Sequence, residues 1–69
     1  MKKISMAAAR VDAGYSQKEM ATKLGITREY YNELERGKRP IRERYIILLC
    51  YYTGFKPEEL KLPSELMEE

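Results

Sequence analysis

Apolar residues recur at helical spacing along most of this chain, and no stretch of it reads as a strand. Ile4, Ala7, Ala8 and Val11 form one such stripe and predict a first helix over residues 4–13, ended by Gly14. Its alanine-rich face would let a neighbouring helix come close. Ser16 and, three positions on, Glu19 make a capping box, the hydroxyl taking an orphan amide and the carboxylate reaching back. The helix they open carries Met20, Ala21 and Leu24 on one face and stops at Gly25, where a left-handed turn costs no Cβ clash. Ile26 plugs the turn. Thr27 is suited to cap a third helix over residues 28–36, with Tyr31, Leu34 and Glu35 on one face and Gly37 closing it. Pro40 excludes helix from the following loop, Ile41 drops into the core, and a fourth helix is expected over residues 42–53, ended by Gly54. Phe55 packs back. Pro57 at a first helical position, with Glu58 and Glu59 behind it, predicts a short fifth helix through Leu60 or Lys61, stopped by Pro63. The expectation is an all-α, compact five-helix domain over residues 1–62, with a short acidic tail over residues 63–69.

Two short helices joined at a tight glycine turn make a helix-turn-helix unit. Counting Gln17 as its first residue, apolar residues fall at the fourth, eighth, tenth, fifteenth and eighteenth places: Met20, Leu24, Ile26, Tyr31 and Leu34. Ala21 stands at the fifth, where the helices cross closely, and Gly25 at the ninth. With Arg10, the Glu35-Arg36-Gly37 run and the Lys38-Arg39-Pro40 loop, this pattern resembles the lambda-repressor-like (Cro-repressor, Xre type) helix-turn-helix family over most of the chain, roughly residues 4–60. The resemblance implies a salt bridge between Arg10 and Glu35 behind the recognition helix, with a structural role. It implies backbone contacts to DNA from Gln17 and from a phosphate-binding loop of Lys38, Arg39 and Arg42. It also places Ile46, Leu49, Cys50 and Thr53 inside, leaving Tyr45, Ile47, Leu48, Tyr51 and Tyr52 on wider arcs than a small monomer covers.

Length and charge adjust this picture. Sixty-nine residues make one domain near the lower size at which a core suffices without staples. The single cysteine, Cys50, forms no internal disulfide, so the chain reads as intracellular and, in this family, cytoplasmic. No uncharged run approaches the roughly 18 residues of a membrane span. Lys2, Lys3 and the following alanines faintly resemble a signal peptide, but Arg10 and Asp12 interrupt the apolar region too early. The net charge of +2 is unevenly placed. Residues 1–45 hold 11 Lys and Arg against 6 Asp and Glu, and residues 46–69 hold 2 against 5. A front of +5 and a back of −3 would orient the molecule towards a polyanion, although a solvated surface can carry such asymmetry by chance.

With Tyr31 at the centre of the buried face, Glu29, Glu33 and Arg36 point most directly away and Asn32 lies on the flank. Arg28, at the N-terminal tip, is expected to read guanine O6 and N7, and Asn32 to read adenine or a neighbouring phosphate. Glu29 and Glu33 form a like-charge i, i+4 pair where family members more often carry glutamine, serine or arginine. Either they accept from cytosine N4 or that surface has turned to a protein partner; the basic loop favours the first. Thr27 and Arg36 join the expected phosphate contacts. Tyr30, at the edge of the face, either touches a thymine methyl or phosphate or packs on the second helix.

There is no histidine, and the one thiol has no positive neighbour to lower its pKa, so enzymatic and metal chemistry are not expected and no cofactor or small-molecule site is called for. The expected function is a sequence-specific regulator of transcription, a repressor, binding double-stranded operator DNA as a homodimer. Its dimer surface would use Tyr51, Tyr52, Phe55 and the fifth helix. The alternative on the same fold is a protein-interaction module, an antitoxin or anti-repressor.

Overall fold

The computed structural model describes residues 3–63 and 65–66 of the chain. Four α-helices form its body: α1 (Met6–Asp12), α2 (Gln17–Leu24), α3 (Arg28–Glu35) and α4 (Glu43–Thr53). Three begin on a side-chain cap. The Ser5 hydroxyl accepts from Ala8 N–H, Ser16 from Glu19 N–H and Thr27 from Tyr30 N–H, which relieves the unpaired amides of each first turn. At α2 the box is reciprocal, since Ser16 N–H donates to Glu19 Oε1 at 2.8 Å. Gly25 ends α2 at φ 77°, and Ile26 N–H returns to Ala21 O at 3.0 Å.

The core gathers Met6 and Ala9 from α1, Met20, Ala21 and Leu24 from α2, Tyr31 and Leu34 from α3, and Ile46 and Leu49 from α4, sealed by Ile41 and Leu60. Ala21 is 2 % exposed where α2 meets its neighbours. Ile26, Cys50 and Thr53 are half-buried rather than inside. α2 packs on both α3 and α4, and α1 packs on α4.

Three expectations need correction. The first helix begins at Met6, not Ile4, and buries Met6 and Ala9 instead of the stripe through Ala7, Ala8 and Val11. Val11 is 64 % exposed. Both stripes have helical spacing; the one that turned inward is the one that carries Arg10 towards α3. Second, short strands are present. β1 (Ile4–Ser5) pairs in parallel with β3 (Leu60–Lys61), and β2 (Ile41–Arg42) pairs in parallel with β4 (Glu65–Leu66). Each is two residues long, too short for any alternation to show. Third, there is no fifth α-helix among the described residues. Pro57–Glu59 makes a single 3-10 turn, after which Leu60 takes extended backbone to lie beside Ile4. Burying Leu60 to 1 % exposure fixes that exit and stops the helix one turn in. Of the expected acidic tail, Pro63, Glu65 and Leu66 are described, the last two as a strand; Ser64 and residues 67–69 lie outside the described residues, as do Met1 and Lys2.

Candidate nucleic-acid interface

α3 is held from behind and open in front. Tyr31 and Leu34 anchor its inner side, at 0 % and 1 % exposure. Arg28 and Glu29 are exposed on the first turn, Asn32 and Glu33 are half-buried on the second, and Arg36 is exposed at the C-cap. Eight residues at 1.5 Å each make a rod about 12 Å long, two turns of helix free to lie lengthwise in a groove. Gln17, Arg28, Glu29 and Asn32 line a shallow open cleft where the start of α2 meets α3.

Behind that face sits a polar chain that fixes its geometry. Arg10 Nε donates to Glu35 Oε2 at 2.7 Å, and Arg10 Nη1 donates to the Tyr15 carbonyl at 2.8 Å. The two side chains are 12 % and 6 % exposed, so the pair is largely removed from water. On the other carboxylate oxygen, Gln17 Nε2 donates to Glu35 Oε1 at 2.9 Å, and the same nitrogen donates to Asn32 Oδ1 at 3.0 Å. Desolvation pushes the Glu35 carboxyl up, but the hydrogen bonds from Arg10 and Gln17 outweigh it and hold the group below its ordinary range. The Tyr31 hydroxyl is buried nearby with no partner in hydrogen-bonding geometry, and burial, with Glu35 beside it, pushes its ionisation far above the ordinary phenol.

The basic loop closes over the other end. Arg39 Nε pairs with Glu33 Oε1. The Arg39 guanidinium also lies 4.8 Å from the centre of the Tyr30 ring, and Tyr30 in turn meets Tyr45 edge-on at 6.1 Å. Tyr30 therefore packs on Tyr45 of α4 and on Arg39 of the loop. Lys38 is exposed, its N–H returning to Glu33 O at 2.9 Å, and Arg42 is half-buried as the N-cap residue of α4. The pairing of Glu33 with Arg39 was not expected, because residues six apart across a glycine have no fixed spacing. Gln17 bridging to Asn32 and Glu35 was equally hidden, since it depends on how α2 crosses α3.

The apolar residues of the C-terminal third are not equivalent. Tyr51 is 77 % exposed. Tyr52 is half-buried, edge-on to Tyr15 at 6.2 Å with the Lys23 ammonium 5.6 Å from its ring centre, and Phe55 is half-buried against the core. Ile47, 61 % exposed, lines a groove with Glu43, Ile46, Pro57, Glu58 and Leu62. Burial, with Glu58 and Glu59 nearby, pushes the Cys50 thiol up. No helix among the described residues is long and apolar enough to cross a membrane.

No curated protein and no solved structure matches the chain. A family model described as helix-turn-helix matches residues 6–60, from the start of α1 to the buried Leu60. That span covers the four helices, the glycine turn and the basic loop, and the chain accordingly belongs to the lambda-repressor-like (Xre type) helix-turn-helix family of DNA-binding regulators.

Proposed function

We propose that the protein is a sequence-specific transcriptional regulator, a repressor acting in the cytoplasm, that binds double-stranded operator DNA as a homodimer with residues 28–36 in the major groove. The observation that carries this is the outer row of α3. Arg28, Glu29, Asn32 and Arg36 face away from a rigid core, flanked by the basic loop. A major groove about 12 Å wide admits one such helix. Arg28 reaches deepest and reads guanine. Glu29 takes cytosine N4, with Glu33 beside it once Arg39 has turned to a phosphate. Thr27 keeps its hydroxyl proton for a phosphate while its oxygen accepts from Tyr30 N–H. Both amide protons of Gln17 are engaged, so its phosphate contact falls to the main-chain N–H at the start of α2, which has no acceptor among the described residues. Lys38, Arg39, Arg42 and Arg36 supply the remaining backbone contacts, and Tyr30 serves as the platform beneath Arg39. The Arg10–Glu35 pair braces the helix from the inside.

Salt decides between this function and a protein-interaction module. Fluorescence anisotropy with labelled duplexes should give affinity that falls steeply from 50 to 200 mM salt, with Arg39→Ala reducing the log–log slope by about one. Arg28→Ala should relax base choice, whereas Arg39→Ala should weaken all sequences alike. Equal losses on specific and random DNA for both variants would refute the division of labour. The exposed Ile47 and Tyr51, away from the DNA-facing helix, favour a protein contact in addition; affinity for a partner that does not change with salt and survives Arg28→Ala would support the antitoxin or anti-repressor reading instead.

A further inference from the structure

Glu33 stands half-buried on the second turn of α3, where a bare carboxylate would repel the phosphates of a duplex. The fold does not leave it bare. Arg39 comes back from the loop, six positions on, and its Nε–H donates to Glu33 Oε1. The same guanidinium lies 4.8 Å from the centre of the Tyr30 ring, and Tyr45 of α4 braces that ring edge-on at 6.1 Å. Arg39 is thus held at two points, on the N–H nearest its stem and on its flat face. A guanidinium has five N–H donors in one rigid plane, and the contact with Glu33 uses one of them. The four on Nη1 and Nη2 have no acceptor among the described residues, and the Arg39 side chain is 51 % exposed. Two of those four run parallel at the far end, the arrangement that grips a phosphate by two oxygens.

Resting on the DNA-binding function above, we infer that Glu33 is a positioning residue for the phosphate contact of Arg39: it keeps Nε in the complex while the far edge of the guanidinium takes the phosphate. Arg39 turns to the phosphate without leaving Glu33, whose Oε2 stays available to a base donor. The gain is one of order. An unrestrained arginine gives up rotamer freedom when it grips a phosphate, and here much of that freedom is already lost in the folded protein, to Glu33 at the edge and Tyr30 at the face. The charge of Glu33 acts the other way, since a carboxylate beside a duplex weakens binding. The two effects are opposite in sign and separable, because the ordering effect needs Arg39 and the repulsion does not. Both side chains are substantially exposed, at 51 % and 40 %, so the pair contributes little to folding and its loss is read in binding.

The test is a double-mutant cycle on a pool of random duplexes, where base reading by Glu33 averages out. Anisotropy titrations at 50 mM salt give Kd for wild type, Glu33→Ala, Arg39→Ala and the double variant. In the Arg39→Ala background, Glu33→Ala removes repulsion alone and should tighten binding. With Arg39 present the same change should tighten binding at least about threefold less, or weaken it outright. Glu33→Gln loses the charge but keeps an oxygen for Nε, and should bind the pool more tightly than Glu33→Ala, which is equally neutral. Melting temperatures should stay close to wild type in every variant. Equal effects of Glu33→Ala in the two backgrounds would show that Glu33 acts through charge alone. A larger tightening with Arg39 present would show that the pair opens on binding. Either result, or Glu33→Gln binding no better than Glu33→Ala, would overturn the inference and leave DNA binding standing. Failure of the wild type to bind any duplex at 50 mM salt would overturn the function itself, and the inference with it.

Discussion

Arg10 is the residue whose loss should be felt most widely, because three groups depend on it. Its guanidinium neutralises Glu35 and tethers the Tyr15 carbonyl, and Glu35 in turn holds Gln17. The formed pair contributes little net stability, since desolvating both charges offsets their attraction. Breaking it is another matter. Arg10→Ala leaves a carboxylate only 6 % exposed without its cation, and urea unfolding should show a loss of about 3–5 kcal/mol. Substituting Glu35 should act on pH dependence as well. Its folded pKa lies below the unfolded value of about 4.3, so the stabilisation is complete above that pH and disappears as pH falls through the folded value. Urea midpoints measured from pH 7 down to 3 should therefore decline for wild type, and less steeply for Glu35→Gln. An identical decline in both would show that the carboxylate is not linked to folding.

At the level of elements, the turn between α2 and α3 sets the angle at which the outer row is presented. Gly25 sits at φ 77°, and a Cβ added there would meet nothing within 4 Å. The cost of Gly25→Ala is thus backbone strain alone, about 1–2 kcal/mol, unrelieved and uncompounded by packing. Thermal unfolding should show that loss, whereas Gly25→Asn, which tolerates the left-handed region better, should lose less. The capping residues Ser16 and Thr27, the turn glycine and the apolar faces of α2 and α3 were all legible in the chain, because they are local: each acts within four or five residues of itself. The first helix shows the limit of such reading. Two stripes had the right period, and only packing chose Met6 and Ala9 over Ala7, Ala8 and Val11. The expected fifth helix failed for a similar reason, since Leu60 gains more by burial beside Ile4 than by continuing a turn begun at Pro57.

For the whole molecule, the surface proposed for assembly is carried by α4. Ile47 and Tyr51 are the large apolar residues that this helix leaves mostly in water, at 61 % and 77 % exposure. In the proposed dimer they lie in or beside the contact between copies, with Tyr52 and Phe55 supporting from half-buried positions. Tyr51→Arg should then lower the hydrodynamic mass from dimer to monomer, and weaken operator binding while leaving the melting temperature of the monomer nearly unchanged. A mass that is monomeric for wild type both with and without DNA would remove the dimer. In the dimer, half-sites would lie about 34–36 Å apart, one turn of DNA, or a multiple of that.

What the order of amino acids determined by itself is the set of short-range decisions: where α2 and α3 start and stop, which of their faces is apolar, and which side of α3 is left polar. Caps, glycines and the 3.6-residue period act over a single turn, so they need no knowledge of the rest of the chain. What only the tertiary structure decided is which polar groups meet. Gln17 reaches Asn32 and Glu35 across fifteen and eighteen positions, and Arg39 finds Glu33 and Tyr30 only once the loop has folded back. Hydrogen bonds are directional and fall off within a few tenths of an ångström, so they follow from the crossing of helices and not from the spacing of residues.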